Sequence, residues 1–304
     1  LGAADALRRR PPEYPPAPGE LAEVGGEVLH ALVGRAEEGP TVVFESALSC
    51  PCTEWGWVLR ALDGHTPFVA YDRPGNGWST RHGTHTDAAD HGALLLDLVR
   101  TLALPGPYLL VGHSVGGLLV RAFADRNPRH TAGLVLVDSS HPDQMERSSL
   151  QREGAALVRQ GITTMSLRTR FGLLDGHDDS AFGALTGLPA GLAEPSVRVM
   201  RRPEPWRAAR GEFALWNTRW AAAARRSTPA RDLPLGVVTA GRQSATDVAH
   251  SRMQAELAEL SDVRRHDVVP SAEHDSLVMD ERFAPRVAEV VRWAIETHRR
   301  QEGA

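Results

Sequence analysis

The sequence Tyr-Leu-Leu-Val-Gly-His-Ser-Val-Gly-Gly at residues 108–117 decides the fold. Its apolar first half predicts a buried strand, and the pattern Gly-x-Ser-x-Gly follows at once at residues 112–116. A helix is predicted to begin near Val115. A strand, a sharp turn and a helix in this order form the setting in which Gly-x-Ser-x-Gly exposes a serine above a sheet.

Ser114 in this turn is the first candidate catalytic residue. The turn is expected to strain the backbone of Ser114 and expose its hydroxyl, and Gly112 and Gly116 are expected where neighbouring backbones leave no room for a Cβ atom. The N-terminus of the helix would offer N–H groups and positive partial charge to an oxyanion. A chance turn can also carry this pattern, but the flanking strand and helix favour a nucleophile.

Short apolar strands and amphipathic helices alternate around this turn, which predicts a mostly parallel sheet with helices on both faces. The glycine pair at 25–26 predicts a hairpin between the first two strands. Strands are predicted at 21–24, 28–33, 41–44, 67–71, 108–111, 133–137, 235–239 and 265–269.

The alternation stops between residues 141 and 230, where helical patches predominate. We therefore predict a helical lid over 141–230, inserted into a core made of 20–140 and 231–304. Large apolar residues in this segment, Trp216 and Trp220 among them, are expected in part to roof an apolar pocket over Ser114. The Pro-rich residues 1–19 are predicted to form an arm on the domain surface.

Composition excludes several classes of function. The 304 residues carry 34 basic and 38 acidic side chains, a net charge of −4, and every basic residue is Arg. Without Lys there is no Schiff-base or P-loop lysine, and without a basic patch no nucleic-acid partner is predicted. No apolar run approaches the ~20 residues of a membrane span. Residues 1–10 lack a signal-peptide core, which predicts a cytoplasmic protein.

The two cysteines, Cys50 and Cys52, are separated only by Pro51. A disulfide across so small a ring would be strained, and the pair offers too few ligands for a metal. We interpret them as free thiols in a loop. The sequence predicts neither a cofactor nor a metal, and it leaves the oligomeric state open.

From residue 21 to 295 the chain resembles the α/β-hydrolase superfamily. The resemblance rests on the Ser114 turn and on Tyr-Asp-Arg-Pro-Gly-Asn-Gly-Trp-Ser at 71–79, which is similar to the family's D-R-x-G-x-G-x-S loop. Pro74 would lock this glycine-rich turn. Trp78 could form a pocket wall, but a scaffolding role for the loop is favoured.

The resemblance assigns the catalytic base among thirteen histidines. His274 lies just after the last predicted strand, in the loop that carries the catalytic histidine of the family, and it would take the proton of Ser114 and later activate water. His113 flanks the nucleophile and should point away from its hydroxyl. His266 lies on the strand itself.

The resemblance also implies an oxyanion hole. One donor would be the N–H of Val115, after the nucleophile, and the other the N–H of Leu48, in the loop after the first parallel strand. The family often has His-Gly in that loop, whereas this chain has Ser46 and Ala47. Something else must then hold the loop, with Glu45 or Ser46 as candidates.

Two residues could be the acid that orients His274. Asp247 follows the strand at 235–239, but the usual family position is Ser244, and Asp247 also suits a helix N-cap. Asp138 comes directly after the strand at 133–137, at the sheet edge where Ser114 lies. Some relatives place their acid there. The sequence favours Asp138 and keeps Asp247 as the alternative.

These residues predict a serine hydrolase that cleaves an ester, lactone or thioester of a small, partly hydrophobic substrate through an acyl-enzyme. An acyltransferase or cyclase on the same fold would use the same groups. A non-catalytic ligand-binding protein of this fold is the third alternative. Because fold does not determine function, the substrate is not predicted further.

Overall fold

A computed structural model describes residues 14–36, 39–62, 64–83, 87–174 and 179–303. An eight-stranded sheet forms its centre, flanked by α-helices. The strands are β1 (Glu20–Val24), β2 (Glu27–Gly34), β3 (Thr41–Glu45), β4 (Phe68–Tyr71), β5 (Tyr108–His113), β6 (Thr131–Val137), β7 (Leu235–Ala240) and β8 (Arg264–Val269).

The sheet has the order β1-β2-β4-β3-β5-β6-β7-β8. Only β2 pairs antiparallel, with β1 and β4, and all other neighbours are parallel. The predicted hairpin turns at Gly25 and Gly26, whose φ angles of 60° and 84° suit glycine. The predicted mostly parallel sheet is confirmed.

Helices cover both faces of the sheet, as predicted. They are α1 (Gly56–Ala61), α2 (Ala88–Thr101), α3 (Gly116–Arg126), α4 (Gln144–Arg147), α5 (Ser149–Arg170), α6 (Gly183–Thr186), α7 (Ala193–Met200), α8 (Pro203–Leu215), α9 (Ala221–Arg226), α10 (Gly241–Thr246), α11 (Val248–Ala258), α12 (Ser276–Met279) and α13 (Ala284–Glu302). Apolar residues of α1 and α13 pack on one face, and those of α2 and α11 on the other. Within the described residues, no helix combines the length and apolar character needed to cross a bilayer.

Helices α4 to α9 lie between β6 and β7, inside the segment for which a lid was predicted. We call residues 144–226 the helical insertion. Its buried residues Trp206, Trp216 and Trp220 join the same apolar core as Val115 beside the serine. Phe171 and Leu173 of the insertion are both 63% exposed, so these two apolar residues lie outside that core.

The described part of the predicted arm lies against the core. The hydroxyl of Tyr14 donates to the carbonyl of Gly77, and the indole of Trp78 donates to the carbonyl of Pro15. Residues 1–13 of that arm lie outside the described residues. Trp78 is 5% exposed and packs at a tilt against the His30 ring, which agrees with a scaffolding role.

One local prediction was wrong at Cys52. A loop was expected there, but Cys52 begins a short 3₁₀ helix, Cys52–Trp55, that leads into α1. Both cysteines are free, Cys52 fully buried and Cys50 partly so. Burial first, and then the carboxylates of Glu54 and Asp275, raise the pKa of Cys50 well above its ordinary value. That thiol therefore stays protonated and is a poor nucleophile.

Candidate active site

Ser114 occupies a sharp turn between β5 and α3. Its φ angle is +54°, a left-handed conformation that non-glycine residues rarely adopt. Backbone bonds hold it there, since the N–H of Ser114 donates to Val137 O at 3.1 Å and its carbonyl accepts from Ser140 N at 2.9 Å. Its neighbours His113 and Val115 are fully buried, while Ser114 itself is partly exposed. The predicted strained, accessible serine is present.

The glycines around Ser114 allow backbones to approach closely. A Cβ atom on Gly112 would lie 2.6 Å from Gly117 N, and one on Gly116 would lie 2.3 Å from Glu45 O. The second contact brings the turn against the end of β3. That contact sets Ser114 beside the loop at residues 45–49, which is the predicted oxyanion loop.

His274 follows β8 and meets Asp138, which follows β6. The distance from His274 Nδ1 to Asp138 Oδ2 is 2.6 Å. The Asp138 side chain is fully buried, whereas 37% of the His274 side chain is exposed. Because a carboxylate only accepts hydrogen bonds, Nδ1 carries the proton and Nε2 is the atom left to accept one.

Opposing effects set the charges of this pair. Burial alone would raise the pKa of Asp138, but hydrogen bonds from His250 and His274, and then the charge of His274, hold it well below its ordinary range. Burial alone would lower the pKa of His274, but the hydrogen bond and charge of Asp138, aided by Asp275 and Glu54, raise it to about 9. The geometry thus stabilises the ion pair that forms when His274 takes a proton.

Asp247, the alternative acid, lies elsewhere. Its Oδ1 accepts the N–H of His250 at 3.1 Å and caps α11, while its Oδ2 accepts the hydroxyl of Ser148 at 2.6 Å. Asp247 therefore forms the helix N-cap that the sequence allowed as its alternative role. The structure brings Asp138, and not Asp247, to His274.

Two buried residues lie beside His274: His113, which flanks the nucleophile, and Glu54, which sequence analysis missed. The His113 ring lies 4.7 Å from the His274 ring, centroid to centroid, and its Nδ1 lies 3.5 Å from Glu54 Oε1. Glu54 Oε1 also accepts the N–H of Ala47 at 2.8 Å. Among the described residues no hydrogen bond joins Ser114 Oγ to His274. Such bonds are often long without substrate and tighten when it binds.

A buried arginine holds the oxyanion loop. Arg73 donates to the carbonyls of Ser46 and Ala47 at 2.6 and 2.8 Å, and to Glu45 Oε1 at 2.8 Å. Its Nε and second amino group donate to the two carboxylate oxygens of Glu212, on α8 of the helical insertion. This Arg73 network holds the loop in which the chain has Ser46 and Ala47, and it connects that loop to the insertion. Glu45 was one of the two residues predicted to hold this loop, whereas nothing in the sequence pointed to Glu212.

Charge keeps the Arg73 network together. Burial would lower the pKa of Arg73, but Glu212 and then Glu45 raise it well above its ordinary value. Burial also raises the pKa of Glu45, against the opposing effect of Arg73. The side chains of Arg73, Glu45 and Glu212 are exposed by only 1%, 3% and 7%. Removing one partner would leave a buried charge without compensation.

Both predicted oxyanion donors are available. In the described part of the chain, neither Leu48 N–H nor Val115 N–H donates to a protein acceptor. Val115 is also the N-cap of α3, where the helix contributes positive partial charge. Leu48 N–H lies in the loop after β3, and Val115 N–H lies in the turn after β5. The close approach of Glu45 O to Gly116 brings this loop and this turn together.

The structure separates the two tryptophans of the predicted roof. The indole of Trp216 donates to Ser140 Oγ at 3.1 Å, and Ser140 is bonded in turn to the backbone of Ser114. Trp220 is fully buried and packs edge-on against His91, with ring centroids 5.2 Å apart. Trp216 therefore belongs near the candidate site. The other rival histidine, His266 on β8, hydrogen-bonds Thr239 on β7 rather than Asp138.

Comparisons with known proteins give the chain a family. Residues 42–290 match the alpha/beta hydrolase family. An uncharacterized protein of Schizosaccharomyces pombe is 24% identical over 227 residues, 72% of this chain and 40% of that protein. The chain thus spans less than half the length of that relative.

Solved structures match over nearly the whole chain. A putative lipase from Acinetobacter baumannii has a TM-score of 0.68 at 16% identity and covers 91% of each chain. The enol-lactonase from Burkholderia xenovorans has a TM-score of 0.61 at 18% identity, over 90% of this chain and 100% of its own. These likenesses concern the fold. With the family match over 42–290, the chain belongs to the alpha/beta hydrolase family.

Proposed function

We propose that this protein is a serine hydrolase that cleaves an ester, lactone or thioester of a small, partly hydrophobic substrate through an acyl-enzyme. The observation that carries the proposal is the 2.6 Å contact between His274 Nδ1 and Asp138 Oδ2, at the sheet edge that also holds the strained Ser114. A protein that only binds ligands has no need of this arrangement.

The proposed reaction has two steps. In the first, His274 Nε2 takes the proton of Ser114 as its Oγ attacks the carbonyl carbon, and the imidazolium then gives that proton to the leaving group. In the second, His274 takes a proton from water as the water attacks the acyl-enzyme, and the imidazolium then returns this proton to Ser114 Oγ as the acid leaves. Asp138 remains ionised throughout and stabilises the charged imidazole.

Leu48 N–H and Val115 N–H would bind the oxyanion in both steps. Fixed donors aimed at developing charge lower the barrier because they need no reorganisation during reaction. The Arg73 network supports this role, since it holds the carbonyls of Ser46 and Ala47, and the Ala47 carbonyl belongs to the same peptide group as the Leu48 N–H. The buried placement of Trp216 near Ser140 favours a hydrophobic acyl or alcohol group.

Turnover of p-nitrophenyl esters and thioesters of graded acyl length tests the proposal. We expect hydrolysis by the wild type, and Ser114→Ala should lower kcat by several orders of magnitude, because members of a triad act as a unit. Normal circular dichroism and thermal unfolding of the variant would serve as the control for folding.

Near-wild-type turnover by Ser114→Ala would place the nucleophile elsewhere and contradict the mechanism. Transfer of the acyl group to an added alcohol or amine in preference to water would favour the acyltransferase alternative. Absence of any reaction across the panel, with tight binding of the same esters, would favour a ligand-binding protein.

A further inference from the structure

Asp138 contacts a second histidine on the side away from His274. His250 Nε2 lies 3.1 Å from Asp138 Oδ1, and the N–H of Ala240 donates to the same oxygen at 2.9 Å. His250 lies on α11 and is 5% exposed. Both oxygens of the carboxylate therefore accept N–H donors, and these donors come from β7, α11 and the loop after β8.

His250 is itself held in place from two directions. Its backbone N–H donates to Asp247, whose other oxygen accepts the hydroxyl of Ser148. Its Nδ1 lies 3.5 Å from Gln151 Nε2, on the first turn of α5. A chain of hydrogen bonds thus runs from the helical insertion to the acid beside His274. Asp247, which is not the acid, belongs to this chain.

We propose that His250 is a positioning residue for the proposed reaction: it holds Asp138 Oδ1 so that Oδ2 stays directed at His274. The terminal torsion of an aspartate is broad, so a carboxylate with one free oxygen can rotate away from its partner. His250 restrains that torsion together with the Ala240 N–H, which donates to the same oxygen. It does not touch the substrate, and the inference rests on the proposed function.

The geometry fixes the tautomer of His250. A carboxylate offers no proton, so Nε2–H must donate to Asp138, and Nδ1 is left to accept from the Gln151 amide. His250→Gln can keep an N–H donor near Oδ1. His250→Leu removes the donor while it retains an apolar side chain of comparable bulk.

Steady-state kinetics on a p-nitrophenyl ester tests the role. We expect His250→Leu to lower kcat about tenfold to a hundredfold with KM within about twofold, as loss of a hydrogen bond to a charged partner allows. His250→Gln should recover most of kcat. The matched control is His266→Leu, which breaks the 2.9 Å bond between His266 Nε2 on β8 and Thr239 Oγ1 on β7 and should leave kcat unchanged.

Two results would overturn the inference. One is wild-type kcat in His250→Leu. The other is an equal fall of kcat in the Leu and Gln variants that follows their loss of thermal stability, because a merely structural role would give that pattern.

Asp138→Asn, measured in parallel, distinguishes a failure of the role proposed for His250 from a failure of the proposed triad. If it abolishes turnover while His250→Leu is normal, only the role of His250 fails. If Asp138→Asn is itself fully active, the proposed triad fails and the role of His250 fails with it. If His250→Leu does not fold, the comparison of His250→Gln with Asp247→Asn replaces it. Wild-type kcat and a normal pH profile in Asp247→Asn would then contradict a role for the chain of hydrogen bonds.

Discussion

The two sides of Ser114 are built differently. On one side, Asp138 and His274 come from the ends of two parallel strands and meet through a single short contact of 2.6 Å. On the other side, Arg73 holds the oxyanion loop. It joins Glu45 to Glu212 in the helical insertion, which lies 139 positions after Arg73 in the sequence. The position of the Asp138–His274 pair depends on where two strands end, whereas the position of the oxyanion loop depends on buried ion pairs.

This difference indicates how each side tolerates change. Strand ends are fixed by the whole sheet, so loss of the Asp138 carboxylate should affect chemistry more than folding. The Arg73 network instead compensates charges in the interior, where an unpaired group costs several kcal/mol. Loss of Arg73 should therefore affect folding and chemistry together.

The same difference explains what sequence analysis could predict. Asp138 was predicted because it ends a strand at the sheet edge where Ser114 lies, and His274 because its loop matches the one that carries the catalytic histidine of the family. Ser114 was predicted because its turn has a local pattern. Glu212 could not be predicted, since the helices of the insertion follow no fixed order relative to the core. His250 left one weak signal, its place in the first turn of the helix that Asp247 caps.

The largest expected effect is on the acid side. Asp138→Asn should lower kcat about 10³–10⁴-fold, because the amide no longer fixes the tautomer and charge of His274. Asp247→Asn should cost no more than about tenfold, since its carboxylate acts through a helix cap and His250. Kinetics of the two variants on one ester checks the ratio, and equal losses would contradict the choice of Asp138.

The pH profile sharpens the same comparison. His274 must be neutral to act as a base, and Asp138 raises its pKa to about 9 from an ordinary 6.5. The kcat/KM of the wild type should therefore rise with pH, and the midpoint of that rise should lie near the raised pKa of His274. In Asp138→Asn the midpoint should move to lower pH, and an unchanged midpoint would mean that another group controls it.

The next effect is on the oxyanion side. Arg73→Met should lower the free energy of unfolding by about 3–5 kcal/mol, because Glu45 and Glu212 would remain buried without their cation. It should also lower kcat about tenfold to a hundredfold as the loop loses its anchor. Urea unfolding and kinetics well below the unfolding temperature measure both quantities.

Arg35→Met is the matched control, since Arg35 pairs with Glu20 at the surface, with 54% of its side chain exposed. It should leave the free energy of unfolding nearly unchanged, because water and salt screen an exposed ion pair. Arg73→Met with reduced stability and an unchanged kcat would show that the network supports the fold alone.

The smallest effect concerns the substrate. Trp216→Ala should shift the preferred acyl length of p-nitrophenyl esters by a few carbons, because its indole lies one hydrogen-bonded residue from Ser114. Trp220→Ala, against His91, should lower thermal stability without changing that preference. A shift in both variants, or in neither, would contradict the distinction between the two tryptophans.

The central claim is that Ser114 is activated as a nucleophile, and labelling with a fluorophosphonate tests it most directly. The proposed mechanism predicts one phosphonyl adduct per chain, located by peptide mass spectrometry on Ser114, and much slower labelling of Asp138→Asn under the same conditions. Failure of the wild type to label, or an adduct on any other residue, would contradict it.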